Sequence, residues 1–384
     1  YDFESGLILV SFDGFRWDYM EKADTPNLDR LVANGVKAEG LTPVFPSKTF
    51  PNHYSVVTGL YAENHGLVAN NMYDPKFDAS FGLGNQEAVQ DGRWWGGEPI
   101  WVTAEKQGKI AATYFWPGSE AEINGYRPTY YVPYDGSVPN RDRVNHVLAW
   151  LDLPEDERPS FLTLYFSDTD SRGHQYGPDS PEVAQAIAHV DSMLGLLLAG
   201  LSERNLDDKV NIIVTSDHGM ARTSSDRVIF LDDYVSLDEV HVVYWTPVVM
   251  IRPNEGEEDN VYNSLADKHP NLKVYRKNEV PDRLHFNDHY RIPEIIGIAD
   301  EGWSITSHSY FERSEHRFSG AAHGYDNRLK SMLGIFIAHG PAFNNGLVVD
   351  AFENIHIYNL MASILELEPS TNDGDLDVVK GILR

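Results

Sequence analysis

LILVSFD, residues 7–13, is a nearly continuous apolar run that stops on an aspartate. A run of this length and composition fits a strand covered on both faces, as in a parallel sheet. The pattern recurs twice. FLTLYF, residues 161–166, leads to Asp168 and Asp170, with His174 four residues after Asp170. VNIIVTS, residues 210–216, runs into Asp217 and His218. In open α/β sheets, ligands gather beyond the carboxyl ends of the strands. Acids and histidines far apart in sequence but collected there supply what a metal site needs.

The segments between these runs alternate between strand and helix patterns, which predicts an α/β fold with a mostly parallel central sheet. TPNLDRLVANG, 25–35, reads as a short helix with Thr25 as cap, Pro26 in the first turn and Gly35 as stop. Residues 181–204 place apolar groups at 183, 187, 190, 194, 197, 198 and 201, a helical stripe facing a core. Further strands are expected near 110–116, 242–251 and 333–338, and a closing amphipathic helix at 354–367. Residues 1–384 are expected to form a single catalytic domain. The polar stretch around 253–330, rich in Pro, Asn and His, is expected to elaborate that domain.

The chain has 384 residues, 42% of them hydrophobic, enough to bury a sizeable core. The longest apolar stretches are expected to fall short of the ~18 residues that span a bilayer. A formal net charge of −27 argues against a stable nucleic-acid complex, which needs a basic footprint. It leaves room for a small phosphate ester. Distant charge is screened over roughly 8 Å at physiological salt, and bound ions dominate a local site. The absence of cysteine excludes disulfides and thiolate ligands. The sequence also has no Asn-x-Ser/Thr acceptor. Secreted animal proteins usually carry both features, so a bacterial periplasmic or secreted setting is expected. The first residue is Tyr1 rather than Met, which agrees with a leader having been removed.

Without cysteine, a divalent ion is bound by Asp oxygen and His nitrogen. Asp170 and His174 stand at i, i+4, on one side of a helical turn. PVFPSKTFPNHYSVVTG, 43–59, brings Thr49 to the start of a helix, and His323 lies in the small-residue loop SGAAHGYDN. Singly these features are ambiguous. An aspartate at a strand end more often caps a helix, and a lone D-x-x-x-H is more often a surface pair. Their order is far more specific. Asp13, Thr49, Asp170, His174, Asp217, His218 and His323 resemble, in type, order and spacing, the two-metal core of the alkaline phosphatase superfamily.

TFPNHYSVVTGLYAENHGLVANNMYDP, GGEPIWVTAEKQGK, TYFWPGS, RPSFLTLYFSDTDSRGHQYGP, IIVTSDHGM, DRLHF and HGYDN further resemble the nucleotide pyrophosphatase/phosphodiesterase family across nearly the whole chain. The resemblance implies an alkaline-phosphatase-like fold with helices on both faces of the sheet. It implies two zinc ions, one held by Asp13, Thr49, Asp217 and His218, the other by Asp170, His174 and His323. Thr49 would be the nucleophile and Asn70 a donor to a non-bridging phosphoryl oxygen. The activity implied is hydrolysis of nucleotide phosphodiester and pyrophosphate bonds through a threonyl-nucleotide intermediate, with net retention at phosphorus. Phe50 and Tyr134 would flank the nucleobase, with Leu83, Trp116 and Tyr165 as further slot residues. Read without the resemblance, Trp116 and Tyr165 are more simply core aromatics. Asp168 is left as a structural residue, and Lys48 is given no role on the phosphate.

In the loop PSKTFPN the nucleophile candidate is a threonine where the superfamily's phosphomonoesterases use a serine, and the C/S-x-P-x-R pattern of sulfatases is absent. A diester, with one charged oxygen fewer, needs one cation fewer. The segment GNQEAVQDG has no lysine where some members of the family carry a nucleotide-contacting one, so base selectivity is expected to be broad. Alternatives are a lysophospholipid or choline-phosphate diesterase, a phosphomonoesterase, or a metal-binding protein without turnover. An Asp/His/Thr site also accepts manganese or iron.

Overall fold

The structure, a computed structural model, describes residues 6–384; Tyr1–Ser5 of the expected catalytic unit lie outside the described residues. Its centre is an eight-stranded sheet. In chain order the strands are β1 (Gly6–Phe12), β2 (Val36–Ala38), β3 (Ala111–Tyr114), β4 (Tyr130–Tyr131), β5 (Phe161–Phe166), β6 (Val210–Thr215), β7 (Phe336–His339) and β8 (Leu347–Val349). Their spatial order is β8-β2-β7-β6-β1-β5-β3-β4. Every neighbouring pair is parallel except those of β7, which runs antiparallel to β6 and β2. All three apolar runs are adjacent central strands, so their carboxyl ends open on one edge.

Side chains alternate across the pleat of β1. Leu7 and Leu9 join one core cluster, and Ile8, Val10 and Phe12 join another. Helices cover both faces, as expected. On the first face lie α2 (Thr49–Thr58) and α5 (His356–Ile364). On the second lie α1 (Pro26–Ala33) and α4 (Pro181–Glu203). Between β5 and α4 runs α3 (Asp168–Tyr176), directly after the strand end.

Three expectations need correction. Thr25 does not cap α1 through its side chain; its hydroxyl donates to Asp29 instead. The cap comes from Asp191, buried in the middle of α4, which accepts from the backbone N–H groups of Asn27 and Leu28. The 242–251 segment is two strands, Val240–Tyr244 and Val248–Pro253, because Pro247 interrupts the ladder with no N–H to donate. Finally, α4 has 23 residues and is long and apolar enough, by length and composition, to cross a membrane. Half of its apolar window is buried, and the stripe 183, 187, 190, 194, 197, 198 and 201 packs on the sheet.

The strands Val240–Tyr244, Val248–Pro253, Leu272–Arg276 and Ile295–Ala299 form a second, antiparallel sheet. Its two faces differ. Val248, Met250, Ile296 and Ile298 pack into the main core, while Val249, Ile251, Leu272 and Ile295 form their own cluster.

Candidate active site

The nucleophile candidate is mounted on a locked helix start. Lys48 is the N-cap of α2 and makes no side-chain cap bond. Asn52, one turn in, supplies the order instead. Its Nδ2 donates to the carbonyls of Val44, Pro46 and Lys48, and its Oδ1 accepts from Val44 N–H and from Asn354. Pro51 through Thr58 are all buried, and Gly59 closes the helix in the left-handed conformation. Thr49 stands at the exposed end of this helix, its Oγ1 3.3 Å from His218 Nε2.

The acids arrive from the strand ends. Asp13 follows β1, and the next residue, Gly14, has φ +66°. A Cβ on Gly14 would come within 2.9 Å of Asp170 Cα, so only glycine lets the end of β1 approach the first turn of α3. Gly14 N–H donates to Asp217 Oδ1 at 3.0 Å. Tyr165 donates its hydroxyl to Asp13 Oδ2 at 2.6 Å. One oxygen of each acid is thereby satisfied. Among the described residues, Asp13 Oδ1 and Asp217 Oδ2 remain buried with no hydrogen-bond partner, as does Asp170 Oδ1.

The histidines face these orphaned oxygens with lone pairs. His174, His218 and His323 each direct Nδ1 at a backbone carbonyl, of Ala321, Gly219 and Ser47, at 2.8–2.9 Å. A carbonyl only accepts, so Nδ1 carries the hydrogen and Nε2 presents a lone pair. His218 Nε2 lies 2.9 Å from Asp217 Oδ2 and 3.5 Å from Asp13 Oδ1. His174 and His323 lie 3.3 and 3.6 Å from Asp170 Oδ1, and their Nε2 atoms are 3.2 Å apart. Acceptors facing acceptors repel unless a cation sits between them. Four ligands about 2.0–2.1 Å from a tetrahedral divalent ion sit about 3.3 Å from one another, which matches both groups. Asp13, Asp217 and His218 form one such cluster; Asp170, His218 and His323 form a second that shares His218. The residues therefore fit metal ions. His174, half exposed, marks the outer edge.

The electrostatics agree. Burial pushes the Asp13 carboxyl well above its ordinary range, and Asp217 and Asp170 push it further. Burial alone would raise Asp217 and Asp170 as well. The imidazoles of His218 and His53 hold Asp217 well below the usual carboxylate range, and His174 holds Asp170 below it. Burial lowers the His174 pKa, but Asp170 beside it more than offsets this and raises it above the ordinary value. Burial also drives His323 well down, helped by His218 and Lys48. Lys48 itself is pushed down to about 7 by burial, with Asp170 opposing. Its ammonium sits 5.4 Å from the Tyr244 ring.

A cavity of about 450 Å³ opens from Asp13, Thr49 and Asp170 into an aromatic slot. Phe50, Trp116, Tyr165, Tyr134 and Leu83 all line it, so every expected slot residue is present. They are not equivalent. Trp116 is buried and spends its indole N–H on His53 O, whereas Tyr134 and Leu83 are 52% and 49% exposed at the rim. Asn70 lies behind Thr49; its Oδ1 accepts from Phe50 N–H, which leaves the amide nitrogen as the free donor end. Asp168 stays outside the cluster and accepts from Asn140.

Two residues, and one hydroxyl of a residue already named, escaped the sequence analysis. His53, one turn after Thr49, is buried with Nδ1 2.9 Å from Thr49 O and 3.3 Å from Asp217 Oδ2, and Nε2 2.8 Å from Ser11 Oγ. Its i, i+4 spacing from Thr49 was the available signal. Glu120 is buried in the slot and accepts from Tyr134 N–H and Gln90. The hydroxyl is that of Tyr165, noted above.

Comparison with known proteins agrees with this geometry. The chain is 43% identical over 393 residues to the venom phosphodiesterase CdcPDE of Crotalus durissus collilineatus, a match covering 99% of this chain and 47% of that protein. It is 40% identical over 378 residues to ectonucleotide pyrophosphatase/phosphodiesterase family member 5 of Homo sapiens, covering 98% and 78%. The solved structure of murine ectonucleotide pyrophosphatase/phosphodiesterase 5, an inactive threonine-to-alanine variant in complex with AMP, superposes with a TM-score of 0.94 at 40% identity, covering 99% of this chain and 100% of that one. The chain spans about half the length of the venom enzymes it matches. The type I phosphodiesterase / nucleotide pyrophosphatase profile matches residues 7–326, and the chain belongs to that family.

Proposed function

We propose that this chain is a two-zinc hydrolase that cleaves nucleotide phosphodiester and pyrophosphate bonds, converting ATP to AMP and pyrophosphate. The observation that carries this reading is the set of three histidines with Nδ1 fixed on carbonyls and Nε2 turned toward three orphaned carboxylate oxygens. Asp13, Thr49, Asp217 and His218 would hold one ion; Asp170, His174 and His323 would hold the other. Bound there, such ions supply a lowered pKa for an attached alcohol or water and neutralise charge on the phosphoryl and leaving oxygens.

The chain's own residues do the rest. Thr49 Oγ1 bonds to the α-phosphorus as the bond to pyrophosphate breaks. Water then displaces Thr49, releasing AMP, and the two inversions give net retention. The Asn70 amide nitrogen donates to a non-bridging oxygen. Phe50 and Tyr134 hold the base between rings, a contact that tolerates any base. The whole chain, 1–384, would act as one catalytic unit, with the stretch around 253–330 as an elaboration of it. An extracytoplasmic location, periplasmic or secreted in a bacterium, is the setting we propose; the relatives' names, venom and ectonucleotide enzymes, support the broader form.

A second reading is favoured by one feature. Glu120 places a buried carboxylate among the slot's aromatic rings, a pairing that also suits a quaternary ammonium group. A choline-phosphate diester therefore belongs in the test. Metal content is measured together with turnover of ATP, a dinucleoside polyphosphate, a cyclic dinucleotide and glycerophosphocholine. The expected result is two zinc ions per chain and AMP from the nucleotides, lost on chelation. Thr49→Ala abolishes turnover and keeps the fold. Turnover of glycerophosphocholine alone, or full activity in Thr49→Ala, overturns the proposal.

A further inference from the structure

Tyr165 sits at the junction of the slot and the ion site, and its two ends do different things. It is the penultimate residue of β5, paired in register with Ser11 of β1, two residues before Asp13. Arg143 fixes its backbone by donating to Tyr165 O at 2.9 Å. The ring lines the slot, 6.1 Å from Tyr134 and 5.4 Å from His53. The hydroxyl, at the other end, donates to Asp13 Oδ2 at 2.6 Å. The whole side chain is nine-tenths buried.

The hydroxyl decides how Asp13 can act as a ligand. A carboxylate binds a cation through one oxygen or through both. With Oδ2 held by the phenol, only Oδ1 faces His218 Nε2 and Asp217 Oδ2. Asp217 is restricted in the same way, because Gly14 N–H holds its Oδ1. Each acid thus offers a single oxygen. That donor count suits a four-coordinate ion at about 2.0 Å and fits poorly the ions that prefer six or more oxygens.

The structure assigns Tyr165 as a positioning residue that holds Asp13 to one-oxygen ligation and so tunes the site for a small tetrahedral ion. This inference rests on the reading of Asp13 as an ion ligand, and it goes beyond the ring's part in the slot. Hydrogen-bond partners of metal ligands typically govern affinity by 10–100-fold.

Two substitutions separate the two ends of the side chain. Tyr165→Phe keeps the ring and removes the donor. Tyr165→Gln keeps an N–H donor and removes the ring. Zinc and manganese retention are measured on the loaded proteins by chelator competition, and AMP binding by calorimetry. In Tyr165→Phe, zinc retention is expected to fall about 10–100-fold, with manganese falling less and AMP binding, measured at saturating zinc, staying closer to wild type than in the glutamine variant. In Tyr165→Gln, AMP binding falls while part of the zinc retention returns. Unchanged zinc retention in Tyr165→Phe, equal losses of zinc and manganese, or equal zinc losses in both variants overturns the assignment. A wild-type chain that retains no zinc at all defeats the underlying reading instead, so the two failures are distinguishable.

Discussion

Phe50 N–H donates to Asn70 Oδ1 at 2.9 Å, joining the helix that carries Thr49 to the segment that carries Asn70. The bond commits the Asn70 oxygen as acceptor and leaves its amide nitrogen as the donor end. Asn70→Ala removes the donor, and kcat/KM for ATP is expected to fall about 10²–10³-fold, as when an oxyanion donor is removed. Asn70→Asp keeps the acceptor for Phe50 N–H but turns a negative charge toward the phosphoryl group, so it should be worse than alanine. Steady-state rates for the two variants check this; an aspartate variant as active as wild type would falsify the orientation.

Phe50 and Tyr134 flank the slot; Phe50 packs against Phe81 and Trp95, and Tyr134, half exposed, packs against Phe115 and Tyr165. Replacing either with alanine is expected to weaken nucleotide binding by about 1–3 kcal/mol, equally for all bases. Phe50→Ala should lower thermal stability more than Tyr134→Ala, because Tyr134 is half exposed. KM values for four nucleoside triphosphates, with melting curves, distinguish the two.

Arg291 and Asp74 form a buried pair, Nε to Oδ2 at 2.6 Å, with side chains 4% and 0% exposed. Arg291 also donates to the carbonyls of Gly66, Trp94 and Arg93, so it clasps the segment that carries Asn70 and the slot rim. Arg291→Met strands the Asp74 charge, and stability should fall by about 3–5 kcal/mol. Urea midpoints give the loss. A shift within error of wild type would mean that this segment is held elsewhere.

His65 is buried beside Ser55, and burial lowers its pKa to about 3. The native state therefore refuses a proton that the unfolded chain accepts below its ordinary value near 6.5. Stability from this residue is complete above about 6.5 and is lost as pH falls toward 3. The slope within that window is about 1.4 kcal/mol per pH unit. His65→Gln should flatten the pH dependence of urea unfolding between about pH 4.5 and 6 by one proton's worth. An unchanged slope refutes the assignment.

The clustered acids and histidines were readable from the chain because most of them end an apolar run or follow it at helical spacing, with His323, in a small-residue loop, as the exception. The contacts that orient those ligands were not. Tyr165 meets Asp13 across 152 residues of chain, and nothing local distinguishes its hydroxyl from that of a wall aromatic. His53 looked like one more helix residue after Thr49, since its role depends on Asp217 arriving from another strand. Asp191 interrupts the apolar stripe of α4 next to Val190. That was a usable signal, but Asn27, at the start of the helix it caps, lies 164 residues earlier. Pro247 was likewise visible within the 242–251 run and should have divided it.

Thr49 projects from a helix whose eight residues Pro51 through Thr58 are sealed in the interior, while Tyr134 and Leu83 stand in solvent at the far end of the same cavity. On the proposed reading, substitutions at the rim would exchange one substrate for another without disturbing the atoms that break the bond. The fold would then separate an unchanging reaction from a replaceable taste in substrates, and a lineage could diversify the second while inheriting the first intact.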